Sequence, residues 1–290
     1  MKVAGFTIVR NALKYDYPII EAIESILPLC DLVVVAVGNS DDETLALIQS
    51  IKSEKIQILE TVWDDSLREG GKVLADETNK AFQAIPTDYD WGFYIQGDEV
   101  VHEDDLATIQ KAMKENTDRK DIDGLLFNYR HFFGSYDYIG NSPRWYQNEI
   151  RVIKNNKAIY SYKDAQGFRK DDDKKLTVKR IDAHVHHYGW VKDPSVMQAK
   201  QETFNKLWHD DKWMAENIDK VEEFDYFKNI DSLEKYTGTH PSVMKIRIDR
   251  LNWDFNYDIS FNKTSTKHKL KKLLKKVGWD TSYRNYTLKK

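Results

Sequence analysis

Two adjacent carboxylates, Asp98 and Glu99, stand where a buried strand is predicted to end. The aromatic and apolar run at residues 91–95 precedes them, and a helical pattern that includes Leu106 follows. In open α/β sheets, ligands bind outside the carboxyl ends of the strands. Carboxylates at such a position supply hard oxygen ligands suited to Mg²⁺ or Mn²⁺. The pair therefore predicts a divalent-cation site; the alternative is an acidic turn that starts a helix and is stabilised by its dipole.

Three histidines form a second candidate metal site. On a strand predicted over residues 176–190, His184 and His186 would share one face, and His187 would point to the other. Two imidazoles two residues apart can bind a transition metal. A zinc hydrolase also needs a third ligand and a general base, and the sequence has no HExxH motif and no cysteine pair. The alternative is that a histidine here bonds a backbone carbonyl.

Several other catalytic classes lack their motifs. The chain contains no GxGxxG and no GxxxxGK[ST] sequence, which disfavours Rossmann-type dinucleotide binding and P-loop chemistry. No serine lies in a GxSxG elbow, and Cys30 is the only thiol, so a nucleophilic triad is not expected. We expect Cys30 to be a small buried hydrophobe.

Composition sets the broad class. The 290 residues suffice for one large α/β domain with an appendage or for two small domains. The formal net charge of -3 gives no general reason to expect nucleic acid as a partner. A single cysteine excludes an intrachain disulfide and indicates a reducing compartment. No signal peptide and no bilayer-spanning apolar run are apparent, which predicts a cytoplasmic protein, at most peripheral on the inner face of the membrane.

Hydrophobic periodicity predicts the elements that position these residues. Strands over residues 3–9, 32–37 and 56–62 alternate with helices over residues 17–27 and 45–51. This βαβαβ order implies a parallel sheet with right-handed crossovers.

After the central strand, the predicted elements no longer alternate between strand and helix. A hairpin turn is predicted at Asn155-Asn156 between two short strands, and from about Asp193 the chain reads as mostly helical. We therefore predict a catalytic domain over residues 1–192 and a helical extension over residues 193–290. Further strands are predicted over residues 124–133, 149–154, 158–162 and 176–190.

The order of several short motifs resembles that of family-2-like glycosyltransferases with the GT-A fold. Val9-Arg10-Asn11, residues 39–44 (NSDDET) and residues 90–99 (DWGFYIQGDE) resemble that family's KNE, GSTDGT and DW…DADE signatures. Residues 149–151 (EIR), 164–169 (DAQGFR) and 187–190 (HYGW) are similar to sequences of bacterial relatives. The resemblance covers residues 2–200. It implies an α/β fold, a GT-A type Rossmann-like mixed sheet flanked by helices, with a C-terminal helical extension.

The resemblance also implies an activity and its partners. The chain would be a glycosyltransferase of hexosyltransferase type in cell-envelope polysaccharide biosynthesis. It would move a sugar from a nucleotide-diphosphate sugar to a hydroxyl of a glycan or lipid-linked acceptor. Mn²⁺ or Mg²⁺ would be held by Asp98 through the diphosphate, with His187 as a further ligand. The implied nucleotide-binding residues are Val9, Arg10, Asn11, Asp42 and Asp98.

A carboxylate base must take the proton of the acceptor hydroxyl. Asp164 is the first candidate and Glu149 the second, with surface ion pairs to Arg169 and Arg151 as the respective alternatives. A base on the face opposite the leaving group would invert the anomeric configuration. The candidate acceptor-binding residues are Tyr136, Trp145, Tyr146 and Arg169, and Lys200 is a second cation for phosphate.

Two positions depart from the family pattern. Gln96 replaces the first acid of the metal motif, and an amide oxygen is a poorer cation ligand than a carboxylate. Val37 replaces the acid that usually ends the second strand, which removes one expected contact to the nucleotide.

The tail carries one more pattern. Leu270, Leu273, Leu274 and Val277 have helical spacing, and lysines occupy the other face. This predicts a basic amphipathic helix that either rests on an anionic membrane or packs its leucines on the protein.

Two other functions stay open. A nucleotidyltransferase would need a glycine-rich basic loop, which residues 7–11 lack. A non-catalytic nucleotide or sugar binder of the same fold is kept open by Gln96.

Overall fold

A mixed β-sheet organises the part of the chain that the structure describes. The computed structural model describes residues 1–67, 69–218, 220–228, 230–262 and 284–289. Within them, eleven strands form one sheet and three form a second. The strands are β1 (Val3–Val9), β2 (Leu32–Gly38), β3 (Ile56–Thr61), β4 (Trp91–Tyr94), β5 (Glu99–Val101), β6 (Gly124–Phe133), β7 (Ser135–Gly140), β8 (Asn148–Lys154), β9 (Ile159–Tyr162), β10 (Gly167–Lys170), β11 (Lys174–Lys175), β12 (Thr177–Trp190), β13 (Leu233–Lys235) and β14 (Thr287–Leu288). The α-helices are α1 (Ile19–Ile26), α2 (Thr44–Gln49), α3 (Lys72–Gln83), α4 (Leu106–Asn116), α5 (Pro194–Phe204), α6 (Asp211–Asn217) and α7 (Lys245–Asp249).

The first half of the sheet is parallel, as predicted. Its strand order is β3-β2-β1-β4, and all three pairings are parallel. Both faces of this half are covered, which explains the uninterrupted β-branched run of β2. Val33 and Val35 pack into a core with α1, α2 and α4, whereas Val34 and Ala36 pack into a second core with α3. The carboxyl ends of these strands therefore meet at one edge of the sheet.

The second half of the sheet mixes directions. β8 lies antiparallel between β4 and β6, and β12 runs parallel to β6 on its other side. β7 and β13 extend the sheet beyond β6. The predicted mixed sheet flanked by helices is confirmed.

One local prediction is wrong. Residues 155–156 do not close a hairpin, because β8 pairs with β4 and β6 while β9 pairs with β10 in the separate sheet. The Asn155 side chain instead donates to the carbonyls of Pro86 and Tyr89. The helical pattern predicted around Leu106 is confirmed as α4, and the short strand β5 before it, which pairs with β12, was not predicted. The pairings of β8 with β4 and of β5 with β12 join segments distant in sequence, so local periodicity does not show them.

The C-terminal segment adds helices and two short strands. Besides α5, α6 and α7, its described residues supply β13, which pairs with β7, and β14, which pairs with β12. The predicted amphipathic helix around residues 270–277 lies outside the described residues. Among the helices that are described, none is long and apolar enough to cross a bilayer.

Candidate active site

A cleft of about 660 Å³ opens at the carboxyl ends of β1 and β4. Its walls come from the loop after β1, the turn after β4, the loop at residues 164–166 and the carboxyl end of α5 with the residues that follow. The sheet edge at which the parallel strands end thus carries the cleft, as expected for an open α/β sheet. The predicted site residues in its lining are Val9, Arg10, Asn11, Asp98, Tyr146, Asp164 and His187.

Asp98 lies in the turn that follows β4 and is surrounded by basic groups. Its Oδ2 is 3.3 Å from Lys200 Nζ and 3.7 Å from His187 Nε2. Burial alone would raise the pKa of Asp98, but His187, Lys200 and Lys192 together lower it to about 2. The group is therefore a carboxylate throughout the physiological pH range.

Glu99 is not a ligand of the cleft, although it is adjacent to Asp98 in sequence. Its side chain is fully buried and accepts two hydrogen bonds from Arg151, both 2.7 Å long. It also accepts from the Gln96 backbone N–H at 3.1 Å and from Tyr129 Oη at 2.8 Å. The bidentate ion pair with Arg151 holds the Glu99 side chain in place, and Glu99 in turn holds the backbone of the turn through the Gln96 N–H. Glu99 is therefore a positioning residue for Asp98.

Gln96, the departure from the expected acid, cross-links two walls of the cleft. Its Nε2 donates to Tyr94 Oη and to the carbonyl of Ala165, both at 3.4 Å. A carboxylate could not donate to that carbonyl. The amide thus joins the turn of Asp98 to the loop of Asp164.

The loops after β1 and β2 form the end of the cleft where the nucleotide was predicted. Asn11 adopts a left-handed backbone with φ of 56°, and its Oδ1 accepts from the Asp41 N–H at 2.7 Å. Arg10 pairs with Asp65 at 2.6 Å and donates to the carbonyl of Asn39. Asp42 lies outside the lining and accepts from the N–H groups of Thr44, the first residue of α2, and of Lys14.

Val37 is buried, and the side chain beside the end of β2 is the indole of Trp63, which follows β3. Trp63 lies flat against Gly38, where a methyl group would overlap its ring nitrogen. The Arg10 guanidinium lies 5.6 Å from the centre of the Trp63 ring. This end of the cleft therefore contains a largely buried aromatic ring beside Arg10.

Asp164 lies in a strained loop at the opposite wall. Its neighbours Lys163 and Ala165 have φ of 56° and 61°, which is uncommon for residues other than glycine. Gly71 approaches so closely that a methyl group there would lie 2.9 Å from Asp164 Cβ. Burial raises the pKa of Asp164 above its ordinary value. A carboxylate held in place with a raised pKa has the properties expected of a general base.

Glu149 lies behind the cleft wall and not in its lining. Its Oε1 accepts from Gln166 Nε2 at 2.8 Å, and its Oε2 is buried without a hydrogen-bond partner among the described residues. Burial raises the pKa of Glu149 to about 8. Arg151, its predicted surface partner, is instead paired with Glu99. Glu149 acts on the cleft through Gln166, which does line it.

The raised pKa of Glu149 gives a testable pH dependence. Between pH 4.5 and 8 the carboxyl is protonated in the folded state and ionised in the unfolded state, so this group lowers the stability as the pH rises. We expect Glu149→Gln to unfold at nearly the wild-type urea concentration at pH 5 and at a clearly higher one at pH 8. Equal differences at both pH values would contradict the assignment.

Hydrogen bonds fix which nitrogen of His187 faces Asp98. His131 Nε2 lies 2.7 Å from the carbonyl of Tyr146, so it must donate. His131 Nδ1 then accepts from His187 Nδ1 at 3.2 Å. Burial lowers the pKa of His131 to about 3, so that ring is neutral, and burial also lowers the pKa of His187. When His187 is neutral, its Nε2 carries the lone pair, 3.7 Å from Asp98 Oδ2.

The other histidines do not join this site. His186 is buried on the opposite face of β12 and lies 3.2 Å from Tyr236 Oη. His184 donates its backbone N–H to Asp105. Within the described ranges, no group of three or more His, Cys, Asp or Glu side chains is arranged to hold a metal.

Three predicted acceptor residues lie outside the cleft lining. Tyr136 is buried against Tyr188 and His240. Trp145 stacks on His131, behind the cleft. Arg169 is buried and donates to the carbonyls of Phe168 and Asn285. Tyr146 alone of this set lines the cleft.

Sequence reasoning missed most of the wall that follows β12. Lys192 is fully buried and donates to the carbonyl of Asp16 at 2.7 Å. Both Lys192 and Lys200 lie over the ring of Tyr17, at 4.7 and 5.0 Å. The aromatic residues of this wall are Trp190, Phe204 and Trp208, and Tyr15 and Tyr17 from the loop after β1 line the same cleft. In the sequence, aromatic residues make up 12% of the chain, and only this high content indicated that aromatic side chains could line a site.

The residues beside Asp98 fit part of a divalent-cation site. Gly189 leaves room there, since a methyl group on it would lie 2.6 Å from Asp98 Oδ2 and 2.7 Å from His187 Nε2. One carboxylate oxygen and one imidazole nitrogen therefore face a common space, and carboxylate and neutral imidazole are both ligands that Mn²⁺ accepts. The Lys200 ammonium lies beside the same carboxylate oxygen.

No protein-family model matches the sequence, and no curated protein matches it. Among solved structures, S. aureus TarS is 14% identical over 70% of this chain and 38% of its own, with a TM-score of 0.39. The 4-diphosphocytidyl-2C-methyl-D-erythritol synthase of Anaerococcus prevotii is 12% identical over 66% and 89%, with a TM-score of 0.39. Glucosyl-3-phosphoglycerate synthase of Mycobacterium tuberculosis, in complex with Mn²⁺, uridine diphosphate and phosphoglyceric acid, is 18% identical over 45% and 43%, with a TM-score of 0.30. This chain thus spans 38% of the length of TarS, and each likeness is a partial match of the chain path alone.

Proposed function

We propose that this chain is a glycosyltransferase that moves a sugar from a nucleotide-diphosphate sugar to an acceptor hydroxyl. The observation that carries the proposal is one cleft with two carboxylates in different environments. Asp98 is ionised and surrounded by basic groups, whereas Asp164 has a raised pKa and lies on the loop joined to it by Gln96. Paired acids with separated pKa values are how a site divides the roles of charge stabiliser and base.

The residues would divide the work along the cleft. The loops of Asn11 and Asp41, with Trp63, would hold the nucleoside. Asp164 would accept the proton of the acceptor hydroxyl as the bond to the sugar forms. Because the base and the leaving diphosphate would lie on opposite faces of the sugar, we expect inversion of the anomeric configuration. A product of retained configuration would contradict this assignment.

The departing diphosphate gains charge and needs cationic partners. Arg10, Lys14, Lys200 and Lys206 line the cleft and supply positive charge. Mn²⁺ or Mg²⁺, when bound, would neutralise the same charge as a Lewis acid. Asp98 and His187 are the side chains that would hold it.

The acceptor remains the less defined partner. A glycan or a lipid-linked acceptor fits the aromatic wall of the cleft, since flat apolar rings pack on the faces of sugars. Membrane contact and a role in cell-envelope polysaccharide synthesis rest on the tail around residues 270–277. Deleting residues 267–276 and measuring liposome binding tests that part separately.

The test of the proposal is thermal melting with a panel of nucleoside diphosphates and nucleotide sugars. A ligand that binds only the folded state raises the melting temperature. At a ligand concentration one hundred times the dissociation constant, the free energy of unfolding rises by about 2.7 kcal/mol. We expect one nucleoside diphosphate to stabilise the wild type and to lose most of this effect in Asp98→Ala.

Asp42→Ala is the matched control, because that carboxylate lies outside the cleft lining. It should retain the nucleotide-dependent shift from a lower starting temperature. No shift with any nucleotide at millimolar concentration would reject the proposal. Binding without hydrolysis or transfer of the sugar would favour the non-catalytic binder.

A further inference from the structure

Lys200 reaches the candidate cation site from the far side of the cleft. It lies on α5, 102 residues after Asp98, and its Nζ donates to Asp98 Oδ2 at 3.3 Å and to the carbonyl of Gly189 at 3.0 Å. Its side chain is only 10% exposed, and the rings of Tyr17 and Phe204 lie 5.0 and 5.8 Å from its Nζ. Two hydrogen bonds and two aromatic faces hold this ammonium in one place.

The ammonium shares its carboxylate oxygen with the space that a metal would use. Asp98 Oδ2 lies 3.7 Å from His187 Nε2, the nitrogen that carries the lone pair when the ring is neutral. A divalent cation bound to both would lie about 2.0–2.2 Å from each ligand atom. It would then be a close neighbour of Lys200 Nζ, which is itself 3.3 Å from the same oxygen. Two cations at that separation repel each other, and a low-dielectric surrounding strengthens the repulsion.

The remaining ligands do not offset this repulsion. Gln96 contributes an amide where a second carboxylate would double the negative charge, and its Nε2 is used to hold Ala165. Glu99, the nearest other acid in sequence, is neutralised by Arg151. Among the described residues, no group of three or more His, Cys, Asp or Glu side chains is arranged to hold a metal, and Asp98 already has a monovalent partner in Lys200.

We propose that Lys200 is a built-in counter-ion of Asp98, which lets the cleft bind a nucleoside diphosphate without a divalent cation and competes with Mn²⁺ for Asp98. The ammonium has three N–H groups, two of which are used by Asp98 and Gly189, so the third is available for a phosphate oxygen. This proposal deepens the proposed function, on which its nucleotide part rests. Its metal part concerns this chain's own residues and needs no substrate.

The experiment measures Mn²⁺ alone by titration calorimetry and by the loss of the free Mn²⁺ electron-paramagnetic-resonance signal. Lys200→Met keeps an unbranched side chain and removes the charge. We expect this variant to bind Mn²⁺ at least about tenfold more tightly than the wild type, since a like charge within about 4–6 Å commonly shifts the binding of another charge by that factor or more. Lys200→Arg keeps the charge and should bind Mn²⁺ as weakly as the wild type.

Lys14→Met is the matched control. Lys14 also lines the cleft, but its Nζ pairs with Asp41 at 3.5 Å. Removing it should leave the Mn²⁺ affinity within about twofold of the wild type, because its charge is not beside Asp98. An equal effect of the two methionine variants would show a general charge effect and overturn the proposal, as would an unchanged Mn²⁺ affinity in a folded Lys200→Met variant.

The second arm measures the affinity for the nucleoside diphosphate in EDTA and in Mn²⁺. We expect the wild type to bind in EDTA, and Lys200→Met to bind at least about tenfold more weakly there, with recovery when Mn²⁺ is added. A wild type that binds the nucleotide only with Mn²⁺ would overturn the proposal. If no nucleotide binds under any condition, the proposed function fails, while the Mn²⁺ titration still decides whether Lys200 competes for Asp98.

Discussion

The free energy of unfolding is expected to fall by about 3–5 kcal/mol when Arg151 is replaced by methionine. Both Arg151 and Glu99 are fully buried, and two 2.7 Å hydrogen bonds join them. Without the guanidinium, the Glu99 carboxylate would remain in the interior without its ionic partner. Urea denaturation at pH 7 measures the change, with the same transition followed by circular dichroism and by tryptophan fluorescence.

An apolar double variant distinguishes the net contribution of the ion pair to stability from the penalty of leaving one buried charge without its partner. Glu99→Leu with Arg151→Met removes both charges, and we expect it to regain a large part of the loss, because buried ion pairs replaced by apolar groups are often neutral in stability. It should not regain nucleotide binding, since the turn that presents Asp98 loses its bond from the Gln96 N–H to Glu99. A single variant as stable as the wild type would show that the pair is not structural.

The second large effect is expected on turnover. Asp164→Asn should lower kcat by about 10²–10⁴-fold, the usual contribution of general-base catalysis. Nucleotide binding should be retained, because Asp164 lies in the loop that Gln96 joins to the turn of Asp98, whereas the nucleoside is assigned to the loops of Asn11 and Asp41. In the wild type the rate should fall as the pH drops through the raised pKa of Asp164, since the base must be ionised. Release of nucleoside diphosphate from the donor identified by melting measures both effects.

Exposed Asp172, in the charged loop after β10, provides the control. Asp172→Asn should turn over at the wild-type rate. Glu149→Gln should retain more activity than Asp164→Asn, since Glu149 reaches the cleft only through Gln166. The reverse order would transfer the role of base to Glu149.

Local patterns predicted the parallel half of the sheet because each of its elements has its own periodicity. The run of Val33 to Val37 indicates a strand buried on both faces wherever it occurs, and the structure places it between two cores. The position of Asp98 followed from the same reasoning, since a residue after a parallel strand lies at the ligand edge of the sheet. The residues that predict this strand and its end lie within one short stretch of the sequence.

The rest of the site depends on pairings between distant residues. Nothing near Glu99 indicates that Arg151, 52 residues later, neutralises it. The adjacent acids Asp98 and Glu99 read as one pair of ligands, yet the chain turns one into the cleft and the other into the interior. Lys200 was considered as a phosphate neighbour, but its contact with Asp98 requires knowing where α5 packs. Such contacts are set by the tertiary fold and cannot be detected from the spacing of residues along the sequence.

Cross-linking by Gln96 has a consequence for how the protein is made. The cleft is lined by residues from Ile8 to Trp208, and its two acidic walls are joined only when the loop of Ala165 has docked. At the usual rate of about 5–20 residues per second, roughly 10–40 s separate the synthesis of these two ends. The early parallel strands leave the ribosome long before the segments that complete the cleft. A nascent chain therefore exposes an unfinished sheet edge during that interval, and nucleotide cannot stabilise it until the end of α5 has emerged.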